Sequence, residues 1–300
     1  MTDARPEGWL DVKERGAVLG IRFVAWLCTA FGRGAARAFV AVLAGWYALL
    51  DRRARSASRE WFTRLDGEPS FARTYAQIRA FAQTAVDRFF FLKGRRELFV
   101  TESHGTEHLR ELSEAGKGAI LVGAHLGSFE AMRAVGKGRS YRIHIVGDFR
   151  NARMVNAVLK ELDPESQTRV IEVDPDGVDF MLRIRDLIER GDFVAILGDR
   201  VGPGTRSVEV DFMGGRARLP VGPYVLASTL RCPVLLTFAL YSAPNRYDVY
   251  CEPFDAPRLD RKDREGSLRA LAQRYAQRLE HYARLAPDNW FNFYDFWSAP

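Results

Sequence analysis

The sequence predicts an α/β protein: a single domain with a mixed, largely parallel central sheet flanked by helices, preceded by an N-terminal membrane-associated helical segment. Three observations predict it. Short apolar, β-branched runs bounded by glycine recur, among them Ala119 to Val122 between Gly118 and Gly123, and Phe193 to Leu197 before Gly198. Runs of this kind are strands buried on both faces. Stretches of helical period alternate with them, the pattern of parallel strands joined through crossover helices. Ahead of both stand two apolar stretches, Ala17 to Phe31 and Ala38 to Leu50, with arginines between and after them.

Met1 to Gly16 is polar and lacks the basic region, apolar run and cleavage site of a secretory signal. Neither apolar stretch reaches the roughly 20 residues that cross a bilayer core. The charges in Gly32-Arg33-Gly34-Ala35-Ala36-Arg37 make a single long span costly. The expected forms are a pair of helices that dip into or lie on the membrane, or a tilted anchor; a buried helical hairpin is the competing form. Arg52, Arg53, Arg55, Arg59 and Arg64 suit anionic cytoplasmic headgroups. Residues 1–64 are therefore expected to be the membrane segment and 65–300 the α/β domain.

Within that domain Phe71 to Phe91 repeats its apolar residues near helical spacing and ends at Gly94, and Leu98 to Val100 reads as a short strand. Further strands are expected at Tyr141 to Val146, Thr168 to Val173, Val208 to Met213, Val234 to Leu240 and Tyr247 to Glu252. Helices are expected at Met154 to Leu162, Val178 to Arg190, Pro220 to Leu230 and Leu268 to Leu285. No repeat, low-complexity tract or linker divides this half.

Basic residues outnumber acidic ones by 44 to 38. That mild excess permits acidic partners without choosing among them. The arginines are dispersed and no recognition motif is present, which disfavours nucleic acid. Cys28, Cys232 and Cys251 are scattered, which argues against a disulfide framework or a metal site and for a reducing compartment. No phosphate loop or dinucleotide fingerprint occurs, so no cofactor is expected.

The chemistry concentrates in Gly118 to Glu130, GAILVGAHLGSFE. His125 and Glu130 are five positions apart, about 140° of rotation on a regular helix, so they would diverge there. They converge only if His125 occupies the turn after the strand and Glu130 the first turns of the next helix, where open α/β sheets place their sites. A carboxylate in that place would fix the imidazole tautomer and stabilise the imidazolium formed on removing a proton. Two more polar clusters follow apolar strands, Arg150 with Asn151 and Asp199 with Arg200. A parallel sheet would gather all three on one edge, and the guanidiniums would suit a substrate phosphate or a developing oxyanion.

With these residues in view, the chain resembles the late acyltransferases of bacterial lipid A synthesis, within the wider lysophospholipid acyltransferase superfamily. The resemblance rests on an ordered set: His125 to Glu130, Arg150-Asn151, Gly198-Asp199-Arg200, Phe212-Met213-Gly214-Gly215, Leu219 to Pro223, and Ala286 to Phe291. It implies that His125 is a general base deprotonating an acceptor hydroxyl, that Glu130 orients it, and that Arg150, Asn151, Asp199 and Arg200 bind substrate. It implies an acyl thioester donor, on acyl carrier protein or coenzyme A, a lipid or glycolipid acceptor, and a place on the cytoplasmic face of the cell inner membrane. Asp199-Arg200 stands where lipid A enzymes more usually show Asp-Gln, and the Gly-rich loop Val201 to Thr205 is short. These departures put the lipid A acceptor in question and are similar to an offshoot associated with aryl-polyene-type envelope lipids. A thioesterase, with water as acceptor, and a non-catalytic lipid-binding protein are the competing functions. Arg150, Arg153, Arg200, Arg206, Arg216 and Arg218 are expected to form a basic patch that favours the acidic carrier protein over coenzyme A.

Overall fold

The structure is a computed structural model that describes residues 18–136, 141–147, 170–172, 178–202, 204–256 and 259–297. Three helices come first: α1 (Val18–Leu50), α2 (Arg52–Asp66) and α3 (Phe71–Leu92). The sheet then alternates with helices: β1 (Val100–His104), α4 (Glu107–Glu114), β2 (Ala119–Gly123), α5 (Phe129–Gly136), β3 (Ile143–Gly147), β4 (Val170–Glu172), α6 (Val178–Glu189) and β5 (Phe193–Leu197). A separate hairpin, β6 (Ser207–Phe212) and β7 (Gly215–Pro220), precedes α7 (Gly222–Leu230), β8 (Val234–Ser242), β9 (Arg246–Pro253) and α8 (Arg264–Leu285).

Among the described residues the main sheet has seven strands in the order β1-β9-β8-β2-β5-β3-β4, as the α/β reading requires. Every pairing is parallel except the β8–β9 hairpin. β2 is the fourth of the seven, and all five of its residues are buried. Both faces are covered. Leu236, Phe238 and Leu240 of β8 enter one core with residues of α2, α6, α7 and α8, while Ala239 and Tyr241 enter a second core with α1, α3 and α5. A strand coated on both sides loses the polar–apolar alternation of a half-exposed one, which is why these runs are continuously apolar.

The helix starts follow local chemistry. The Asp51 side chain accepts from Ala54 N at 2.9 Å to open α2, Ser70 from Arg73 N at 3.2 Å to open α3, and Asp263 from Gly266 N at 2.9 Å to open α8. Sequence reading missed α2, whose inward positions include Ala54, Ala57 and Ser58 beside Trp61, Phe62 and Leu65. Small residues give a weak periodic signal. Trp61 and Phe62 nevertheless join the main core, and Trp61 stacks on Trp290 at 5.4 Å. Arg55, expected to face headgroups, instead donates to Ala48 O at 3.1 Å, at the end of α1. The strand expected at Leu98 to Val100 begins at Val100 and runs on through the polar Thr101 to His104, an edge with no apolar signature. The helix expected at Met154 to Leu162 lies outside the described residues.

α1 is two helices joined at Gly32, whose φ of 76° leaves the helical region. Phe23 and Phe39 would stand about 24 Å apart on an unbroken helix, yet their ring centroids are 5.3 Å apart. The chain therefore reverses at Gly32. Arg33 and Arg37, just past the reversal, close on Asp87 of α3, which is fully buried: Arg33 Nε lies 2.7 Å and Arg37 Nη1 3.3 Å from its oxygens. Tyr247 donates to the same carboxylate at 2.7 Å. The charges that interrupt the apolar stretches thus fasten the hairpin to the domain.

Candidate active site

The site grows from strand register. β2 and β5 are parallel neighbours with Gly123 beside Leu197 at their C-terminal ends. Two residues further along each chain stand His125 and Asp199, so the pairing itself brings them side by side. His125 Nδ1 lies 2.9 Å from Asp199 Oδ1, and the His125 backbone N donates to Asp199 Oδ2 at 3.0 Å. Asp199 is fully buried, and 28% of the His125 side chain remains exposed.

The turn carrying His125 is pinned on two sides. Gly127 N donates to Asn289 O at 3.0 Å, Ser128 N to Ala239 O at 2.8 Å, and Phe291 N to His125 O at 2.9 Å. Gly127 has φ +73°, and a Cβ there would fall 1.9 Å from Ala239 O, so only glycine fits. Tyr275 of α8 donates to Gly123 O at 2.7 Å from below. The Ser128 hydroxyl then accepts from Ala131 N at 3.2 Å and opens α5.

Residues 286–297 close the site from the far end of the chain. Asn289 bonds both backbone groups of Tyr241, accepting from N at 2.7 Å and donating to O at 3.0 Å. Asn292, itself buried, donates to Asp199 Oδ2 at 3.0 Å and accepts from Arg200 Nε at 2.7 Å. Arg200 also donates to Phe291 O at 3.0 Å and lies over the Tyr294 ring at 5.6 Å. Asn292 and Tyr275 were not singled out from sequence; the one available signal for Asn292 was its place in an aromatic tail next to the Ala286 to Phe291 block.

Burial alone would raise the Asp199 carboxyl, but His125, Arg200 and Asn292 outweigh it and bring it from 3.8 down to about 2. It is an anion at neutral pH and only accepts hydrogen bonds, so Nδ1 of His125 carries the proton. Burial first, and Arg200 second, hold the imidazole below its ordinary range, against the opposing pull of Asp199. Nε2 has no hydrogen-bond partner among the described residues. The result is a neutral imidazole with a fixed tautomer and a lone pair able to accept a proton.

Glu130 takes a different place from the one expected. Its oxygens meet Arg88 Nε of α3 at 3.0 Å and Arg133 Nη1 of α5 at 2.9 Å. No hydrogen bond or ion pair joins it to His125 among the described residues. Glu130 is 6% exposed, and two guanidiniums compensate that buried charge where one imidazole could not. Asp199, expected to bind substrate, holds the position at His125 that was assigned to Glu130. Arg200, expected to bind substrate too, ties the site to the C-terminal segment. Arg150 and Asn151 lie outside the described residues.

Glu102, His104 and Asp248 form a cluster of metal-ligand types on β1 and β9. Arg246 already supplies its cation, pairing with Glu102 and lying 2.8 Å from Asp248. The arginines of the expected basic patch are only partly described. Arg200 is committed to the site, Arg216 pairs with Glu209 at 3.1 Å and Asp211 at 3.2 Å, and Arg150 and Arg153 lie outside the described residues.

No curated protein matches the chain. A profile of the bacterial lipid A biosynthesis acyltransferases matches residues 12–298. That span takes in the His125 turn, its Asp199 partner and the C-terminal segment that braces both, and on it the chain belongs to the bacterial lipid A biosynthesis acyltransferase family.

Proposed function

We propose that the protein is a membrane-surface O-acyltransferase that moves a fatty acyl group from an acyl thioester, on acyl carrier protein or coenzyme A, to a hydroxyl of a lipid or glycolipid acceptor. Family membership supports acyl transfer between a donor and a lipid acceptor. The observation that carries the mechanism is the His125–Asp199 pair. Nε2 of His125 removes the acceptor's hydroxyl proton as the oxygen attacks the thioester carbonyl. The C–S bond then breaks, and the departing thiolate takes the proton back from the imidazolium, giving an ester and a free thiol. No acyl-enzyme is required. The buried Asp199 anion stabilises the imidazolium between the two steps.

The membrane part rests on the α1 hairpin. By length and composition Gly20–Leu50 is apolar enough to cross a bilayer. The reversal at Gly32, however, leaves two limbs that are each shorter than the roughly 20 residues a span needs. Phe23, Trp26, Phe31, Val42, Leu43, Trp46, Leu49 and Leu50 are exposed along them, an area of apolar surface that suits an interface. The hairpin is therefore proposed to lie in the cytoplasmic leaflet of the inner membrane, with Arg52, Arg53 and Arg59 exposed beside it at the start of α2. Replacing Trp26 and Trp46 together by glutamate is expected to abolish flotation with anionic vesicles; unchanged flotation would refute this placement.

The decisive experiment for function pairs mass spectrometry of envelope lipids from cells with and without the protein with acyl-transfer assays of the purified protein. Wild type should esterify an acceptor, and His125→Ala should do so at least about 100-fold more slowly while keeping its fold. Wild-type rates in His125→Ala would overturn the mechanism, and free fatty acid as sole product would indicate a thioesterase.

A further inference from the structure

Glu130, Arg88 and Arg133 carry more charge than they cancel. One carboxylate, 6% exposed, faces two guanidiniums, leaving a net positive charge in a partly enclosed place. Arg133 is 12% exposed and Arg88 39% exposed, so one cation is nearly sunk and the other reaches solvent. Each guanidinium offers five N–H donors. Each gives one to Glu130, at 2.9 and 3.0 Å, and the others have no acceptor among the described residues. Withdrawing a cation from water without a full partner is costly, so a fold that keeps this arrangement holds two donors ready for an anion.

The position is as telling as the charge. Glu130 and Arg133 sit in the first turns of α5, immediately after the His125 turn, and Arg88 reaches them from α3, which packs on α5. An anion held here would lie on the helix that leaves the His125 turn. Guanidinium forks match the oxygens of a phosphate closely. Glu130, bonded to one nitrogen of each arginine, fixes the direction of both forks.

Building on the acyltransferase reading, we propose that Arg88 and Arg133, positioned by Glu130, form a phosphate-binding clamp beside His125. Its ligand is a phosphate ester of one of the two substrates: that of the donor's phosphopantetheine arm, common to carrier protein and coenzyme A, or that of a phosphorylated lipid acceptor. Glu130 thereby acts on substrate binding through the two arginines rather than on the imidazole.

The test uses the full chain and the variants Arg88→Gln, Arg133→Gln and Glu130→Gln. Steady-state rates are measured with acyl-phosphopantetheine against acyl-pantetheine as donor, and with a glycolipid acceptor before and after removal of its phosphates. Each arginine variant should raise KM for the phosphate-bearing form of one substrate by about 10-fold or more, with a much smaller fall in kcat. The gap between variant and wild type should close to within about threefold on the phosphate-free form. Which substrate shows the effect identifies the source of the phosphate. Glu130→Gln should raise the same KM and leave the acid limb of the kcat profile where wild type has it.

Equal losses on phosphate-bearing and phosphate-free forms of both substrates would mean a structural role and overturn the clamp. So would a Glu130→Gln variant in which kcat falls, the acid limb shifts and KM stays put. Calorimetric titration with 4′-phosphopantetheine and with inorganic phosphate needs no turnover. Wild type that binds either one, with weaker binding in the arginine variants, but transfers no acyl group would support the clamp and sink the acyltransferase reading. Wild type that transfers acyl groups and shows no difference from the variants would do the reverse.

Discussion

Replacing Asp199 by asparagine changes one atom and separates two consequences. The carboxylate accepts three hydrogen bonds: from His125 Nδ1 at 2.9 Å on one oxygen, and from the His125 backbone N and Asn292 Nδ2, both at 3.0 Å, on the other. An amide has one accepting oxygen. If that oxygen faces the two donors at 3.0 Å, the NH2 faces Nδ1. If it is flipped, both of those donors lose their acceptor, at about 1.5–3 kcal/mol each for bonds to a charged group. The first arrangement wins. The imidazole must then accept at Nδ1 and carry its proton on Nε2, where the proposed base needs a lone pair. The expected result is a folded protein with acyl transfer reduced by about 10³- to 10⁴-fold. The stability change is smaller. The carboxyl sits at about 2 rather than 3.8 because ionisation is favoured in the folded state. That difference is worth roughly 2 kcal/mol. The sign follows from the lowered value: the contribution is fully present above pH 3.8 and is lost as pH falls towards 2. Initial rates from a thioester donor, beside thermal melting at pH 7, test both parts. In wild type the acid limb of the rate profile should fall below 6.5, because His125 is held below its ordinary range. An Asp199→Asn protein within tenfold of wild-type rate would refute the account of the dyad, as would an unfolded one refute the argument that the amide can be accommodated.

Two further substitutions probe the frame around the dyad. Gly127→Ala places a methyl carbon 1.9 Å from Ala239 O at a φ of +73°, so the turn must move and carry His125 with it; activity should drop by about 100-fold or more, and a rate within threefold of wild type would contradict the close approach. Asp87→Ala leaves Arg33 and Arg37, 15% and 11% exposed, without their carboxylate. Stranding a buried partner costs about 3–5 kcal/mol, so melting should fall by roughly 5–10 °C and protease should cut within 18–50; unchanged melting and cleavage would show that the hairpin is held by apolar packing alone.

The strands that carry the site were legible because their composition is local. Ala119 to Val122 and Phe193 to Leu197 are continuous apolar runs next to glycine, and the strands there run Ala119–Gly123 and Phe193–Leu197. What composition does not contain is pairing. Asp199 lies 74 positions from His125 and meets it only through the register of β2 on β5. Glu130 is five positions away and therefore invited a pairing with His125, while its described ion pairs run to Arg88 and Arg133. Arg33 and Arg37 had the same ambiguity. A cation between apolar stretches reads as a barrier to membrane insertion, and its buried partner Asp87 looked like an ordinary residue within a helix. Asn292 was illegible for another reason: a single amide gains meaning only when both of its ends find charged groups, and those come from a strand end far away in sequence.

The brace formed by residues 286–297 has a consequence for how the protein is made. It follows every strand of the described sheet in order of synthesis, yet it supplies Asn292 to the dyad and backbone bonds to the His125 turn. A nascent chain that has already folded its sheet still lacks the amide that holds Asp199 and the strand-like contact of Trp290 with Leu126. On the proposed mechanism, the base is complete only once residues 286–297 have joined the folded sheet. On the same mechanism, a chain cut before residue 286 should keep every strand of the described sheet and show no acyl transfer.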